Sequence, residues 1–203
     1  CLQQNSSFNI TVADADKNAI GQHLVKDFEK IPQATDENFI EAVLAVCRKH
    51  NVHVLMPLVT KELIPLKMNK KDFEANGVKV LGSEAPSLEI ANNKSRLYEF
   101  LQWRGIDVPD FRIAETIDQF KTEAAELGYP GKVICFKPSE SNGSRGFRII
   151  NPDLDETHLL FNEKPNASFI SYRDAVRILS AKPFPQLLMS EFLPGEEYSV
   201  DCL

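Results

Sequence analysis

KVICFKPSESNGSRGFRII, residues 132–150, predicts a β-hairpin in the second half of the chain. An apolar run ends at Lys137, a polar loop with two glycines follows, and a second apolar run ends at Ile150. Two apolar runs joined by a glycine-containing loop are typical of paired antiparallel strands. Because glycine lets backbone N–H groups approach a ligand closely, the loop at residues 139–146 indicates a lid over phosphates. An ordinary polar hairpin loop is the alternative.

A second apolar run, LLMSEFLPGEEYSVDCL at residues 187–203, carries acidic residues near its end. Residues 191–193 end a predicted strand and offer a flat apolar slot with a backbone donor and acceptor, which a purine base requires. Glu197, beyond a Pro-Gly turn, is able to accept hydrogen bonds from both ribose hydroxyls. A surface turn with two glutamates is the alternative. Together with the hairpin, this strand end predicts ATP held between two sheets.

Three basic residues are candidates to meet phosphate oxygens. Lys137 ends its apolar strand and precedes Pro138, so its backbone is extended and its ammonium is directed at the end of the sheet. Arg145 adds positive charge to the loop. Lys94 lies in the first turn of a predicted helix, where a cation is unfavourable unless it faces an anion or solvent. A lysine exposed to solvent is an alternative at both lysine positions, so neither residue alone decides the function.

The composition is that of a globular protein and narrows the choice of partner. Of 203 residues, 43% are hydrophobic and 26% are charged, which suits one large domain or two small ones. The 23 basic and 29 acidic residues give a net charge of -6. Because no basic stripe alternates with aromatic residues, the sequence argues against a nucleic acid or an anionic membrane surface as partner.

The cysteines and the first residues predict a cellular compartment. Cys1, Cys47, Cys135 and Cys202 are far apart and form no CxxC pair, which favours reduced thiols in a reducing, cytoplasmic compartment. The first ten residues lack the pattern of a signal peptide, and no run of roughly 18 apolar residues occurs, so no membrane anchor is expected. The four histidines have no metal-binding spacing, so no metal ligand is predicted in the chain.

The first half of the chain alternates strand and helix patterns. A strand at residues 10–15 ends near Asp14 and Asp16, and an apolar run at residues 53–59 is typical of a strand buried on both faces. The series is completed by a helix at 37–50 with Asp36 as N-cap, a helix at 61–75 and a short strand at 78–81. This β-α-β-α-β order predicts an open parallel sheet with crossover helices.

A stretch rich in proline, serine and asparagine at residues 84–92 predicts the boundary between two domains. Beyond it, helices are predicted at residues 94–104, 116–127, 153–163 and 171–180. Thr116 and Gln119 form a capping box that opens the second of these helices. The hairpin and the final strand segment complete the second domain.

The order of these segments resembles the ATP-grasp superfamily. The lead domain is followed by the helix NNKSRLYEFLQWRGIDVPDF at residues 92–111, and then by the hairpin and the 187–203 strands. Within the superfamily, this order is similar to the carbamoyl-phosphate synthase large chain and the carboxylate–amine ligases. The resemblance implies an α/β fold: a Rossmann-like, parallel-sheet pre-ATP-grasp domain at residues 1–91, then the N-terminal part of an α+β ATP-grasp domain at residues 92–203.

The resemblance also implies which residues contact ATP. By matching position, Lys94 and Lys137 contact the phosphates, the glycine-rich loop folds over the triphosphate, and the strand end reads the adenine. Glu197 corresponds to the glutamate that binds the ribose. Here Ser144 and Arg145 stand where many members of the superfamily have more glycine. The complete set is Lys94, Lys137, Gly143, Ser144, Arg145, Gly146, Glu191, Phe192, Leu193 and Glu197.

The resemblance further implies the reaction of a longer parent protein. Magnesium-bound ATP phosphorylates an unidentified carboxylate or bicarbonate, and an amine or ammonia attacks the acyl phosphate. No catalytic side chain is predicted in this chain, and the Mg²⁺ ligands are expected beyond Leu203. By this resemblance the chain begins after the first strand of the lead domain and stops inside a strand, so we expect an internal fragment with little activity of its own. The oligomeric state stays open, a homo-oligomer included.

Two other functions stay open. A non-catalytic, nucleotide-binding regulatory module of the same fold would use the same ATP-contacting residues. An NAD-linked oxidoreductase would use Asp14 and Asp16 at a strand end, but the chain contains no GxGxxG fingerprint. The ligase is therefore the leading hypothesis.

Overall fold

The structure is a computed structural model of the chain and describes residues 7–141, 143, 145–162, 168–181, 183–196, 198 and 200. The chain divides into two compact units, Cys1–Glu89 and Ile90–Leu203. Each unit has its own cluster of buried hydrophobic side chains. In the described part of the chain, no helix has both the length and the apolar character needed to cross a membrane.

The first unit contains two pairs of parallel strands among its described residues. Strand β1 (Thr11–Asp14) pairs with β2 (Asp27–Lys30), and β3 (Val54–Leu55) pairs with β4 (Lys79–Val80). The helices are α1 (Gly21–Leu24), α2 (Phe39–Lys49), α3 (Thr60–Met68) and α4 (Lys70–Ala75), and α5 (Ala85–Asn92) follows β4. The parallel pairing agrees with the predicted alternation, but the described strands form two separate sheets and not one.

Several elements of the first unit differ from the sequence pattern. Strand β2 reads DFEK and has no apolar run, so the pattern does not predict it. The predicted strand at residues 53–59 is wrong in length and burial, because only Val54–Leu55 pair and Leu58 is 85% exposed. Pro57 has no N–H to donate to a ladder, which limits the strand. The stretch at 84–92 is largely helix α5 and not a loop, and the division between the two compact units falls within it.

Helix α2 supplies much of the core of the first unit. Its buried residues recur at intervals of three and four, which places them on one face of the helix: Phe39, Val43, Leu44 and Cys47. The predicted N-cap of this helix is wrong by two residues. Asn38 holds the N-cap position, and the Asp36 carboxylate accepts a hydrogen bond from the Asn38 N–H at 2.9 Å. The helix predicted at residues 61–75 is likewise two helices, α3 and α4, which meet at Asn69.

The acidic residues after β1 shape a turn. The Asp14 carboxylate accepts a hydrogen bond from the Asp16 N–H, and the Asp16 carboxylate accepts one from the Asn18 N–H, both at 2.8 Å. A side chain that bonds the backbone two residues further on stabilises a turn. This structural role explains the two aspartates without an NAD ribose.

Replacing Glu29 with glutamine is expected to remove part of the acid sensitivity of the first unit. The Glu29 carboxylate accepts a hydrogen bond from Lys49 Nζ at 2.6 Å and contacts His50 Nε2 at 2.7 Å. These contacts, that of Lys49 first, lower the pKa of Glu29 below its ordinary value of 4.5. The stabilisation is complete above that value and is lost as the pH falls through the lowered pKa. Urea unfolding at neutral and acid pH measures it.

The Glu29→Gln variant should be less stable than the parent chain near neutral pH and should converge with it in acid. Glu41→Gln is the matched control, because it removes the same charge from an exposed pair with Arg48 on α2. A stability difference between Glu29→Gln and the parent chain that stays constant into acid would contradict the prediction.

The second unit is built around a four-stranded antiparallel sheet in the order β5-β8-β6-β7. Its strands are β5 (Phe111–Ala114), β6 (Ile134–Pro138), β7 (Arg148–Ile150) and β8 (Leu187–Glu191). Its helices are α6 (Lys94–Trp103), α7 (Ile117–Glu126), α8 (Glu156–Asn162) and α9 (Tyr172–Leu179). Strands β6 and β7 form the predicted hairpin, with Ile134 opposite Ile150. Strand β8 lies between β5 and β6, and much of its predicted partner falls outside the described residues.

One face of this sheet packs against α7 and α9. Alternate residues of β6 and β8 lie in the buried cluster with Phe120 and Ala124 of α7 and Ala175 of α9; they are Ile134, Phe136, Leu187 and Met189. Phe120 is fully buried and lies 5.4 Å, ring centroid to centroid, from Phe136. Since side chains alternate along a strand, Cys135 and Lys137 of β6 and Leu188 and Ser190 of β8 lie on the opposite face.

Candidate nucleotide site

The opposite face of the sheet joins helix α6 to the end of β6. The rings of Tyr98 on α6 and Phe111 on β5 meet edge to face, with their centroids 5.4 Å apart. Lys137 Nζ lies 5.3 Å from the centroid of the Tyr98 ring, within the range of a cation–π interaction. Further along the sheet, Cys135 Sγ lies 3.2 Å from Ser190 Oγ across the β6–β8 pair. The lysine at the strand end is therefore held over an aromatic ring from the neighbouring helix.

Hydrogen bonds attach the N-terminus of α6 to the loop that follows β6. The Lys94 N–H donates to the Ser139 carbonyl at 2.8 Å, and the buried hydroxyls of Ser95 and Ser139 are 2.6 Å apart. Asn93 accepts from the Arg96 N–H at 3.1 Å, which makes it the side-chain cap of the helix. The positive end of this ten-residue helix thus faces the root of the predicted lid.

Lys94 and Lys137 lie close enough to influence one another. Burial, and then the charge of Lys137, lower the pKa of Lys94 below its ordinary value of 10.5, while Glu140 opposes the shift. Lys94 Nζ donates to the Ser141 carbonyl at 2.8 Å and contacts its hydroxyl oxygen at 3.2 Å. Among the described residues, neither lysine has a carboxylate oxygen within 4.0 Å. Two neighbouring cations without a bonded carboxylate favour an anion at this point.

Two glycines shape the loop between β6 and β7. Gly146 has φ +82°, and a Cβ there would lie 2.6 Å from Pro138 Cδ, so only glycine fits against the end of β6. Gly143 has φ +59°, and a Cβ there would lie 3.5 Å from Arg145 Nη1, which places that guanidinium beside the loop backbone. The predicted lid residue Ser144 lies outside the described residues.

The predicted adenine segment lies at the other end of the β6–β8 pair. Glu191 pairs with Ile134, whereas Lys137 pairs with Leu188, so the lysine and Glu191 are separated by about 10 Å along the strands. The Glu191 carboxylate accepts a hydrogen bond from the Asp110 N–H at 2.9 Å. Because Glu191 lies opposite Ile134, its side chain is on the α7/α9 face of the sheet and not on the face of Lys137.

The backbone beyond Glu191 leaves the sheet. The Phe192 N–H donates to the Val133 carbonyl at 3.3 Å, and Leu193, with its side chain 60% exposed, is the next residue. Backbone hydrogen bonds among the described residues include none from the Leu193 N–H. Leu193 therefore offers the donor that a purine ring nitrogen would need. Glu197, predicted to bind the ribose, lies outside the described residues.

The sequence pattern predicts the two lysines and the glycine loop as phosphate contacts, but it does not predict the residues that support them. Tyr98, the Ser95–Ser139 pair and the Asn93 cap are the missed residues. The dipeptide Asn92-Asn93 before a helix is a recognisable N-cap signal. No local pattern shows that Tyr98 lies under Lys137, because that contact depends on which face of α6 meets the sheet.

The described residues do not fit a magnesium site. Among them, no group of three or more His, Cys, Asp or Glu side chains could hold a metal ion. Glu140 lies in the loop between β6 and β7, and its carboxylate accepts a hydrogen bond from Asn93 Nδ2 at 3.2 Å. Two clefts lie elsewhere, one of about 340 Å³ beside α8 and α9 and one of about 560 Å³ beside β2. Charged and backbone groups mark the candidate nucleotide site.

Comparison of the sequence with known proteins identifies a family model and several relatives. Residues 2–81 match the family model described as PylC-like, N-terminal domain. Over 140 residues the chain is 30% identical to the carbamoyl phosphate synthase large chain of Xanthomonas campestris pv. campestris, which covers 68% of this chain and 11% of the relative. The chain thus spans about a tenth of the length of that curated relative.

Solved structures share the fold. The structure of N5-carboxyaminoimidazole ribonucleotide synthetase in complex with ADP superposes with a TM-score of 0.61 at 14% identity, over 92% of this chain and 41% of that one. The biotin carboxylase domain of 2-oxoglutarate carboxylase from Hydrogenobacter thermophilus, with MgADP, ADP and bicarbonate, has a TM-score of 0.55 at 18% identity, over 91% and 39% of the two chains.

The matching sequences are carbamoyl phosphate synthase large chains, and the matching structures show that the chain has the fold of ATP-grasp ligases. Its fold is an α/β arrangement of a parallel-stranded lead unit and an antiparallel second unit. The chain is a homologue of the carbamoyl phosphate synthase large chain, and its structural neighbours are ATP-grasp carboxylate–amine ligases.

Proposed function

We propose that the second unit binds ATP, with the triphosphate at Lys94 and Lys137 and the adenine at the end of β8. One observation carries this proposal: two cations, a helix N-terminus and a glycine-containing loop all lie at the same end of β6. Each of these groups favours an anion. Residues 1–91 would then be the pre-ATP-grasp domain and residues 92–203 the N-terminal part of the ATP-grasp domain.

The proposed activity of the complete protein is that of an ATP-dependent carboxylate–amine ligase. A carboxylate or bicarbonate oxygen takes the γ-phosphoryl group and ADP leaves; an amine or ammonia nitrogen then attacks the acyl phosphate carbon and displaces inorganic phosphate. Lys94 and Lys137 neutralise phosphate charge and hold the triphosphate in line. Residues other than those described would hold Mg²⁺. We also propose a cytoplasmic location, which the free, buried thiols of Cys47 and Cys135 support.

Titration of the chain with ADP, followed by amide chemical shifts in NMR, tests the site. Saturable shifts are expected at Lys94, Gly146 and Leu193, because these residues border the proposed phosphate and adenine positions. Amides of α9 lie on the other face of the sheet and serve as the internal control. The absence of shifts, or shifts confined to α8 and α9, would refute the site. Ligase turnover by the complete protein separates the enzyme from a non-catalytic nucleotide-binding module.

As the pH rises, the affinity for ADP is expected to begin to fall at a lower pH than it would if Lys94 had the ordinary pKa of a lysine. Burial and Lys137 lower the pKa of Lys94 in the free protein, whereas bound phosphate favours its charged form. Affinity is therefore retained below the lowered pKa and declines as the pH rises through it, before the ordinary value of 10.5 is reached. Titrations at increasing pH measure the midpoint.

Lys94→Arg is the matched control for this pH profile, because arginine keeps its charge throughout the alkaline range. In this variant, the affinity for ADP should no longer decline at pH values below the ordinary lysine pKa. An identical profile in both proteins would show that Lys94 does not meet the phosphates.

A further inference from the structure

Strand β2 separates its charges onto two faces. The segment from Lys26 to Lys30 reads KDFEK, so the charges of its two basic and two acidic residues cancel in the sequence. Because side chains alternate along a strand, Lys26, Phe28 and Lys30 share one side, and Asp27 and Glu29 share the other. The Glu29 carboxylate is bound to Lys49 Nζ at 2.6 Å. The other face of β2 therefore presents two lysines with an aromatic ring between them.

The connection between β1 and α1 turns this face into a cleft. Its volume is about 560 Å³, and it is lined by Lys17, Asn18 and Gln22 together with Lys26, Phe28 and Lys30. The close approach of α1 to β1 depends on Gly21, where a Cβ would lie 2.8 Å from Val12 Cγ1. The cleft thus combines three ammonium groups, two side-chain amides and one aromatic ring.

The three lysines of this cleft, Lys17, Lys26 and Lys30, form no ion pair within the part of the chain that the structure describes. The nearby carboxylates of Asp14 and Asp16 accept backbone N–H groups of the turn. Three lysines and no described carboxylate line this cleft of a chain with a net charge of -6, which favours an anionic ligand.

We infer that this cleft binds a small phosphorylated ligand with a planar ring, of the class of a nucleoside monophosphate. Lysine ammonium groups meet phosphate oxygens as point charges, and the ring of Phe28 offers a face on which a base can stack. Asn18 and Gln22 each carry an amide donor and acceptor for the base or the sugar. The chain's net negative charge and the small extent of the basic surface disfavour a long nucleic acid.

NMR titration of the full chain with AMP, inorganic phosphate and adenosine tests this site, read at the amides of Asn18, Gln22 and Phe28. AMP is expected to cause saturable shifts there, and phosphate and adenosine to bind more weakly, because each supplies half of the contacts. Added salt should weaken AMP binding, since exposed charges are screened. The readout lies in the first unit, so it is independent of the ATP site proposed in the second.

The double variant Lys26→Gln/Lys30→Gln should weaken AMP binding about tenfold. The matched control is Lys71→Gln/Lys79→Gln, which removes the same charge from exposed lysines of the same unit and should change affinity by about twofold at most. The Phe28→Leu variant should reduce AMP binding towards that of phosphate.

The inference is overturned by equal losses in the two double variants, by the absence of shifts at the cleft, or by phosphate binding as tightly as AMP. It is also overturned if a single-stranded oligonucleotide binds more tightly than AMP with an affinity that grows with its length. If ADP causes no shifts at the Lys94 amide while AMP does cause shifts at the Phe28 amide, only the function proposed for the second unit is refuted.

Discussion

Replacing Phe120 with alanine is expected to lower the free energy of unfolding of the second unit by about 3–5 kcal/mol. The Phe120 ring is fully buried and lies at the centre of an aromatic cluster, with ring centroids 5.4 Å from Phe136, 6.2 Å from Tyr172 and 6.5 Å from Phe184. Alanine would leave a cavity between α7, α9 and the sheet. Urea unfolding, with hydrogen exchange of amides in β6 and β8, measures the loss.

Two variants control for this effect. Phe120→Leu nearly conserves volume and should cost about 1.5 kcal/mol or less. Phe73→Ala removes an equally buried ring from the first unit, so it should lower protection in α4 and β4 and leave β6 and β8 protected. A cost for Phe120→Ala below about 1 kcal/mol, as for an ordinary surface substitution, would contradict the described core.

Replacing Lys137 with alanine is expected to weaken ATP binding roughly tenfold to a hundredfold. The residue ends β6 beside Lys94, and a hydrogen bond between a charged lysine and a phosphate contributes about 1.5–3 kcal/mol. Stability should change little, because Lys137 is partly exposed and packs mainly over the ring of Tyr98. Affinity is measured by titration with ATP, and urea unfolding verifies the fold.

Lys132→Ala provides the matched control for charge, since Lys132 is exposed and precedes β6. It should bind ATP as the parent chain does. Lys137→Arg keeps the charge and should retain more affinity than Lys137→Ala, although its planar group cannot reproduce the geometry of an ammonium. Equal affinity of Lys137→Ala and the parent chain would rule out contact between Lys137 and the phosphates.

Local signals account for what was predictable in the second unit. The 132–150 hairpin forms because two apolar runs flank a loop with glycines, and its register pairs Ile134 with Ile150. The helix α7 begins where its cap predicts: the Thr116 hydroxyl accepts the Gln119 N–H at 3.2 Å. The Gln119 side chain accepts the Glu115 N–H at 2.7 Å, one residue earlier than a standard capping box.

Long-range pairing accounts for what was not predictable. Strand β8 inserts between β5 and β6, and no local pattern identifies partners that lie about 50 residues or more apart along the chain. In the first unit, β2 is hidden because its apolar residues are outnumbered by charged ones. The sequence contains the lysine–aromatic stripe of this strand, but the interleaved acids conceal it until the strand separates the two faces.

In the candidate nucleotide site, too, some features follow from local sequence and others depend on long-range packing. The chemistry of Lys94, Lys137 and the loop glycines follows from residue type and position relative to predicted elements. Their support by Tyr98 and by the loop contacts depends on the packing of α6 against the sheet, which periodicity leaves undetermined. Sequence therefore predicts candidate ligand-facing groups, whereas the groups that would hold them become visible only in the structure.

The buried hydroxyls of Ser95 and Ser139 link two segments that are distant in the chain. Each hydroxyl satisfies the other, so a change at one position alone strands a buried polar group without its partner. Loss of both hydroxyls together removes that penalty. The two serines are therefore expected to vary together, since a change at either position alone carries that cost.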